Sequence, residues 1–255
     1  MQLIHGEALA ALKALPDASV DALITDPPYS SGGMMRSDRT QGVHTKYVNG
    51  DSISGNQLAA FTGDNRDQRA YGYWCALWLA ECLRIARPGA VAALFTDWRQ
   101  LPTTTDALQA GGWVWRGIVP WHKPNGRRVQ GRFANNCEYV VWGTSGARSL
   151  DTLENALTGF YQVNTPRERE HITQKPIELM RSLVKIAPPR GVVLDPFMGS
   201  GTTGVAAIIE GRDFLGVEMV ESHFQTARER VTAAKVGYRE PPQQLVLGVE
   251  TAGVA

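Results

Sequence analysis

The residues from Val192 to Lys235 leave this chain few choices of fold. Val192 to Leu194 reads as a short buried strand and runs into Asp195-Pro196-Phe197-Met198-Gly199-Ser200-Gly201, a glycine-rich turn. Thr202 to Glu210 then has helical spacing, Phe214 to Glu218 reads as a second strand, and Ser222 to Lys235 as a helix with acids early and bases late. Such a β-α-β-α run is half of a doubly wound nucleotide-binding fold, which makes the class α/β with a mostly parallel sheet. Gly199 and Gly201 let the backbone turn sharply and approach a ligand where a Cβ would block it. The spacing is not Gly-x-Gly-x-x-Gly, and no lysine follows as in a phosphate-binding loop, so a nucleotide site without a phosphate clamp is implied. Glu218 closes the next strand about twenty residues on, where an acid suits the two ribose hydroxyls.

A second punctuation mark lies near the other end. Val20 to Thr25 alternates as a strand and stops at Asp26-Pro27-Pro28-Tyr29. Consecutive prolines end both helix and sheet, so these four residues belong just past a strand's carboxyl end, the edge where open α/β sheets bind ligands. The exocyclic amino nitrogen of a nucleobase is a poor nucleophile because its lone pair is delocalised into the ring. One carboxylate and one rigid backbone carbonyl that accept from both N–H bonds would aim that lone pair outward. Asp26 supplies the first and the proline-locked turn the second, at Pro27. Tyr29 offers a ring for a base turned out of the duplex, worth about 1–3 kcal/mol of stacking.

Between these landmarks, Glu7 to Leu15 has helical spacing, and Tyr73 to Arg87 reads as a buried helix stopped by Pro88-Gly89. Ala90 to Thr96 is a strand, Thr103 to Ala110 a helix, Trp113 to Trp121 and Glu138 to Trp142 strands, and Ile177 to Ile186 a helix. Ser30 to Arg69 is too long and too polar for an ordinary connection, so it is read as functional or mobile.

Net charge is +1, which decides nothing about partners, but its distribution does. Between Gly112 and Arg148 lie Arg116, Lys123, Arg127, Arg128, Arg132 and Arg148, opposed only by Glu138, the pattern of a confined polyanion-binding surface. Cys75, Cys82 and Cys137 have no CxxC spacing; Cys75 and Cys82 share one helical face, which predicts buried thiols rather than a disulfide or a zinc site. No stretch approaches the roughly 20 apolar residues of a membrane span, and the N-terminus has no secretion-signal pattern. The protein is therefore expected to stay in the compartment where it is made.

Asp26-Pro27-Pro28-Tyr29 preceding Asp195-Pro196-Phe197-Met198-Gly199-Ser200-Gly201 resembles the β class of amino-group DNA methyltransferases, in which the catalytic motif lies N-terminal to the cofactor motif. The likeness runs from His5 to about Lys235. It implies a circularly permuted, Rossmann-like, seven-stranded sheet with one antiparallel edge hairpin, in a single domain over residues 1–237. Residues 30–70 are expected as a loop over the active site, 143–170 as a short target-recognition segment, and 238–255 as a tail. It implies S-adenosylmethionine as methyl donor, held by Glu7, Asp26, Lys175, Asp195, Phe197, Gly199, Ser200, Gly201, Thr202, Thr203 and Glu218, with catalysis by Asp26, Pro27, Pro28 and Tyr29. Gly6-Glu7 resembles the family's opening Gly-Asp, with glutamate as a departure. Gln174-Lys175-Pro176, ending a segment that starts at His171, resembles the stretch that contacts the methionine part of the cofactor. Trp121-His122-Lys123 and Asn136 to Trp142 resemble the strands flanking the target-base pocket.

The partner implied is double-stranded DNA, with Arg36, Arg39, Lys123, Arg127, Arg128 and Arg132 expected at phosphates, no metal, and room for a homodimer. Asp at the first motif position more often accompanies adenine N6 in this family, and Ser cytosine N4. Adenine is therefore the expected base and cytosine N4 the alternative. A carbon-5 cytosine enzyme would need a nucleophilic cysteine after a proline, which the chain lacks. Protein glutamine methylation typically has Asn first. A DNA-binding protein that keeps the fold without turnover is the reading from a different class.

Overall fold

The computed structural model describes residues 1–28, 67–126, 130–131, 133–148, 157–166 and 175–237. Among the described residues, eight strands form one sheet: β1 (Gln2–His5), β2 (Val20–Thr25), β3 (Ala86–Thr96), β4 (Val114–His122), β5 (Cys137–Thr144), β6 (Tyr161–Gln162), β7 (Val192–Asp195) and β8 (Asp213–Glu218). Their spatial order is β1-β8-β7-β2-β3-β5-β4-β6. Pairing is parallel except where β5 runs antiparallel to both β3 and β4. Seven strands thus make the expected mostly parallel sheet with its β4–β5 hairpin, and the two-residue β6 adds an outer edge beside β4.

Helices cover both faces. On one lie α1 (Ala8–Lys13), α2 (Gln68–Ile85) and α3 (Leu101–Ala110), packed with the sheet through Leu12, Trp78, Leu79, Leu108 and Leu194. On the other lie α4 (Ile177–Val184), α5 (Thr202–Ile209) and α6 (Glu221–Gly237), packed through Met180, Leu183, Ala206, Ala227 and Val231. Helix α2 buries Tyr71, Cys75, Trp78, Leu79, Cys82 and Ile85, a stripe at helical spacing that puts both cysteines inside as expected. Ala90 to Thr96 is buried along its whole length, as a strand covered on both faces must be.

Helix α2 starts at Gln68 and ends at Ile85, earlier at both ends than the sequence suggests. Pro88 does not stop the helix but sits inside β3, at an irregularity between β2 and β3 where Val20 faces Ala86 and Ala22 faces Val91. That slip places proline where its missing N–H breaks no regular ladder.

Strand order reverses between β7 and β2, whose carboxyl ends therefore flank the crevice in which doubly wound sheets bind ligands. The glycine-rich turn leaves β7 there, and Asp26 leaves β2 there.

Candidate active site

The two halves of the site are joined across that crevice by one buried hydrogen bond: the Thr25 hydroxyl donates to Asp195 Oδ1 at 2.7 Å. Thr25 ends β2 and Asp195 ends β7, so the bond fixes the two motifs side by side.

Asp195 is 2% exposed. Besides Thr25 it accepts from the Phe197 amide at 3.1 Å and from the Thr203 hydroxyl at 2.6 Å. Burial pushes its carboxyl up to about 6, against the pull of those three donors. Its role in this geometry is to hold the turn. Phe197 packs between Trp74 and Trp78 of α2, with ring centroids 5.3 and 5.1 Å away. Arg230 of α6 donates to the Ser200 carbonyl at 2.6 Å and its hydroxyl at 3.0 Å, with the Thr202 hydroxyl 3.4 Å away. The side chains of Ser200, Thr202 and Thr203 are thus turned toward the protein, and the turn presents backbone rather than hydroxyls to a ligand.

Both glycines have positive φ, +51° at Gly199 and +80° at Gly201, but for different reasons. A Cβ on Gly199 would meet nothing within 4 Å, so its freedom serves close approach from the crevice, while a Cβ on Gly201 would lie 3.0 Å from Ala227. The packing of α6 therefore requires a small residue at Gly201. Glu218 accepts from the Gly199 amide at 3.0 Å and the Val220 amide at 2.8 Å, which ties the end of β8 to the turn. Each carboxylate oxygen keeps further acceptor capacity for a hydroxyl. Glu7 caps α1 through the Ala10 amide at 2.8 Å, next to the point where the Gly6 amide bonds the Glu218 carbonyl. An open glycine backbone with two acids at the adjoining strand ends fits a nucleoside whose ribose hydroxyls and base donate hydrogen bonds.

On the other side, Asp26 Oδ2 lies 2.6 Å from the Lys175 ammonium. Lys175, just before α4, is 7% exposed; it also lies 3.2 Å from Glu138 Oε2 and 5.0 Å from the Phe95 ring centre. Glu138 Oε1 is in turn 3.0 Å from Lys123. Burial lowers the Lys175 ammonium, but Asp26 and Glu138 outweigh it and the net shift is upward. Burial raises Glu138, but Lys175 and Lys123 outweigh that and leave it below the usual carboxylate range. Glu138 and Phe95 are site residues that the sequence reading did not single out. Glu138 was visible as the lone acid in a basic stretch and as part of a strand flanking the expected base pocket; its contact with Lys175 depends on β5 lying beside β3.

The basic stretch itself divides. Arg116 donates to Thr144 Oγ1 and the Gly146 carbonyl, and Arg148 to the carbonyls of Gly89 and Ile186, so both brace the sheet. Lys123, expected at phosphates, has its ammonium on Glu138 with a side chain 17% exposed. Tyr29, Arg36, Arg39, Arg127, Arg128, Arg132, His171 and Gln174 lie outside the described residues, as do most of 30–70, the tail from 238 and half of 143–170. Among the described residues no group of His, Cys, Asp and Glu could hold a metal ion, and no helix is long and apolar enough to cross a membrane.

The family model for N6/N4-type DNA methylases matches residues 20–229, which includes both motifs. The chain belongs to that family. Among its relatives, the methylase is 26% identical to the type II methyltransferase M.HinfI of Haemophilus influenzae, over 91% of this chain and 68% of that one. The solved M1.HpyAVI–SAM complex is 25% identical and superposes with a TM-score of 0.63 over 90% of this chain and 98% of that one. The cytosine-N4-specific PvuII DNA methyltransferase shares the fold, with a TM-score of 0.64 at 15% identity, over 92% of this chain and 90% of that one. The methylase acts on DNA, and S-adenosylmethionine is its methyl donor.

Proposed function

We propose that the methylase transfers a methyl group to the N6 amino group of adenine in double-stranded DNA, on a base turned out of the helix. The observation that carries this reading is Asp26, first residue of the Asp-Pro-Pro-Tyr turn, at the rim of the crevice beside the glycine turn with its carboxylate oriented by Lys175. S-adenosylmethionine supplies an activated methyl group, so the protein's task is to position and sharpen the nitrogen. An ammonium at hydrogen-bond distance favours the acceptor-only form of the carboxylate. Asp26 then accepts from one N–H of the base and the Pro27 carbonyl from the other. Tyr29 stacks on the extruded ring, and Glu7, Phe197, Gly199 and Glu218 hold the cofactor's nucleoside.

The carboxyl ends of β2, β3 and β4 and the start of β5 share one edge, which is where DNA would meet the protein. That edge carries the exposed rings of Trp98 and Phe133, and Arg127, Arg128 and Arg132 belong to the same β4–β5 connection as Phe133. Together with Arg36 and Arg39 they are the proposed phosphate contacts, worth a measurable share of the salt dependence of binding.

The test is transfer of labelled methyl from S-adenosylmethionine to unmodified genomic DNA, followed by nucleoside analysis. N6-methyladenine is the expected product; N4-methylcytosine would replace adenine by the alternative base, and no labelled DNA would remove the reading. Asp26→Ala should lower turnover by about 10²–10⁴-fold while cofactor binding persists.

A further inference from the structure

The ionic contacts behind Asp26 extend further than orienting one carboxylate needs. They run Lys123, Glu138, Lys175, Asp26, at 3.0, 3.2 and 2.6 Å, two cations alternating with two anions, with Lys175 the most buried of the four. We propose that Glu138 is a positioning residue for methyl transfer: it fixes the Lys175 ammonium so that Lys175 fixes the Asp26 carboxylate. This rests on the reading of Asp26 as the acceptor for the amino group.

A lysine ammonium is a strongly hydrated point charge on a flexible stem, and one carboxylate at a pocket rim does not hold it to a single position. Among the described residues, three neighbours of Lys175 together do: Asp26, Glu138 and the face of Phe95. Of these, Glu138 has the firmest footing. It lies in β5, with its backbone opposite Trp121 of β4 and the next residue, Tyr139, opposite Thr96 of β3, so the sheet holds it from both sides. Lys123 takes Oε1 while Lys175 faces Oε2, which fixes the rotation of the carboxylate. Phe95 belongs to the same frame, paired with Val140 of β5. Lys175, by contrast, sits before α4 and belongs to no strand. The geometry of the amino-group acceptor is thereby referred to the rigid β3–β5 pair.

A competing role for Lys175, holding the carboxylate of the cofactor, makes different demands. If Lys175 serves the cofactor, loss of Glu138 or Lys175 weakens cofactor binding. If the two serve Asp26, it slows transfer and leaves cofactor binding intact. Charge gives a second discriminator. Without Lys175, Asp26 and Glu138 become two carboxylates around one site, and their repulsion raises the pH at which Asp26 ionises. Taking Glu138 away as well removes that repulsion.

The experiment uses the full chain, tritiated S-adenosylmethionine and unmodified genomic DNA, with kcat followed against pH and cofactor Kd measured by calorimetry. Glu138→Gln should lower kcat by about 10- to 100-fold, the size of effect a misplaced reacting group produces, with cofactor Kd at the wild-type value. Lys175→Met should move the acid limb of kcat upward by about one pH unit or more, and Lys175→Met with Glu138→Gln should bring it back. A purely structural role would not produce that reversal. Wild-type kcat in Glu138→Gln, a cofactor Kd that weakens in step with kcat, or a double variant whose limb stays high would each overturn the proposal. Should Glu138→Gln fail to fold, Glu138→Asp serves instead. It keeps the charge and withdraws the carboxylate by one methylene, so it should lower kcat without moving the limb; wild-type kcat there counts equally against the proposal. Asp26→Ala separates the two levels: activity in that variant removes the reading of the site itself, whereas its loss alongside a normal Glu138→Gln removes only the role of Glu138.

Discussion

Glu138 and Asp195 are both carboxylates shut away at the same edge of the sheet, and their surroundings drive them in opposite directions. Glu138 stands between two ammonium groups, which hold it below its ordinary range despite burial. Among the described residues Asp195 accepts from two hydroxyls and an amide, and burial, helped slightly by repulsion from Asp26, pushes it up to about 6. Partner type explains the difference, since a cation compensates lost hydration far more fully than a neutral donor does. The contrast teaches what each half of the crevice is built for. The β2 side keeps charge in place for chemistry on an amino group. The β7 side uses a carboxylate as a multi-point acceptor that knots β2, the glycine turn and α5 together.

The largest expected effect breaks the charged half. Lys175→Met leaves Asp26 and Glu138 without their shared cation and should destabilise the fold by about 3–5 kcal/mol, as loss of one partner of a buried pair does. Asp195→Asn should stay within about 1 kcal/mol of wild type at pH 7, because the lost acceptor is offset by removing a poorly solvated charge. Urea denaturation of both variants at pH 7 measures this, and equal losses would erase the distinction between the two halves.

The next effect is in pH. A carboxyl whose folded value is raised binds its proton more tightly when folded, so stability falls as pH rises from about 4 to about 6 and levels off above. For Asp195 the full change is on the order of 3 kcal/mol, the linkage energy of a shift of about two units. Glu138 has the opposite sign: its contribution is present above its unfolded value and is lost as pH falls through the lower folded one. Between pH 4 and 6 the stability of wild type relative to Asp195→Asn should therefore decline with rising pH. Relative to Glu138→Gln it should increase as pH rises through the most acidic part of the range. A flat difference for Asp195→Asn would show that its carboxyl is not raised.

Much of this arrangement was legible in the chain. Val20–Thr25 and the turn at Asp195 read correctly because alternation, prolines and glycines are local signals. Strand β6, two residues long, has no pattern to read. Pro88 misled because the β2–β3 slip that tolerates it is a property of two strands together. In the site, Asp195, Ser200, Thr202 and Thr203 carry the expected chemistry but point it inward, since which way a hydroxyl turns depends on Arg230 and Thr25 arriving from elsewhere in the chain. Glu138 lies far from both motifs in sequence and joins them only through the strand order. Arg116 and Arg148 look like surface charge in sequence, yet Arg116 ties a hydroxyl to a carbonyl and Arg148 ties two carbonyls.

The smallest effect separates the donors on Asp195. Thr203 donates to Oδ2 at 2.6 Å, whereas Thr25 shares Oδ1 with the Phe197 amide. Losing a hydroxyl that stabilises the charged form raises the carboxyl further, and Oδ2 has less in reserve than Oδ1. Thr203→Val should therefore cost about 1 kcal/mol above pH 7 and less near pH 5, where Asp195 is protonated and asks less of its donors. Thr25→Val should show the same trend at smaller size, with the Phe197 amide still in place. Denaturation midpoints at pH 5 and pH 8 for the two variants decide it. Losses that do not depend on pH would mean that the hydroxyls act through packing alone, and Asp195 would then no longer serve as the acceptor that knots the cofactor side together.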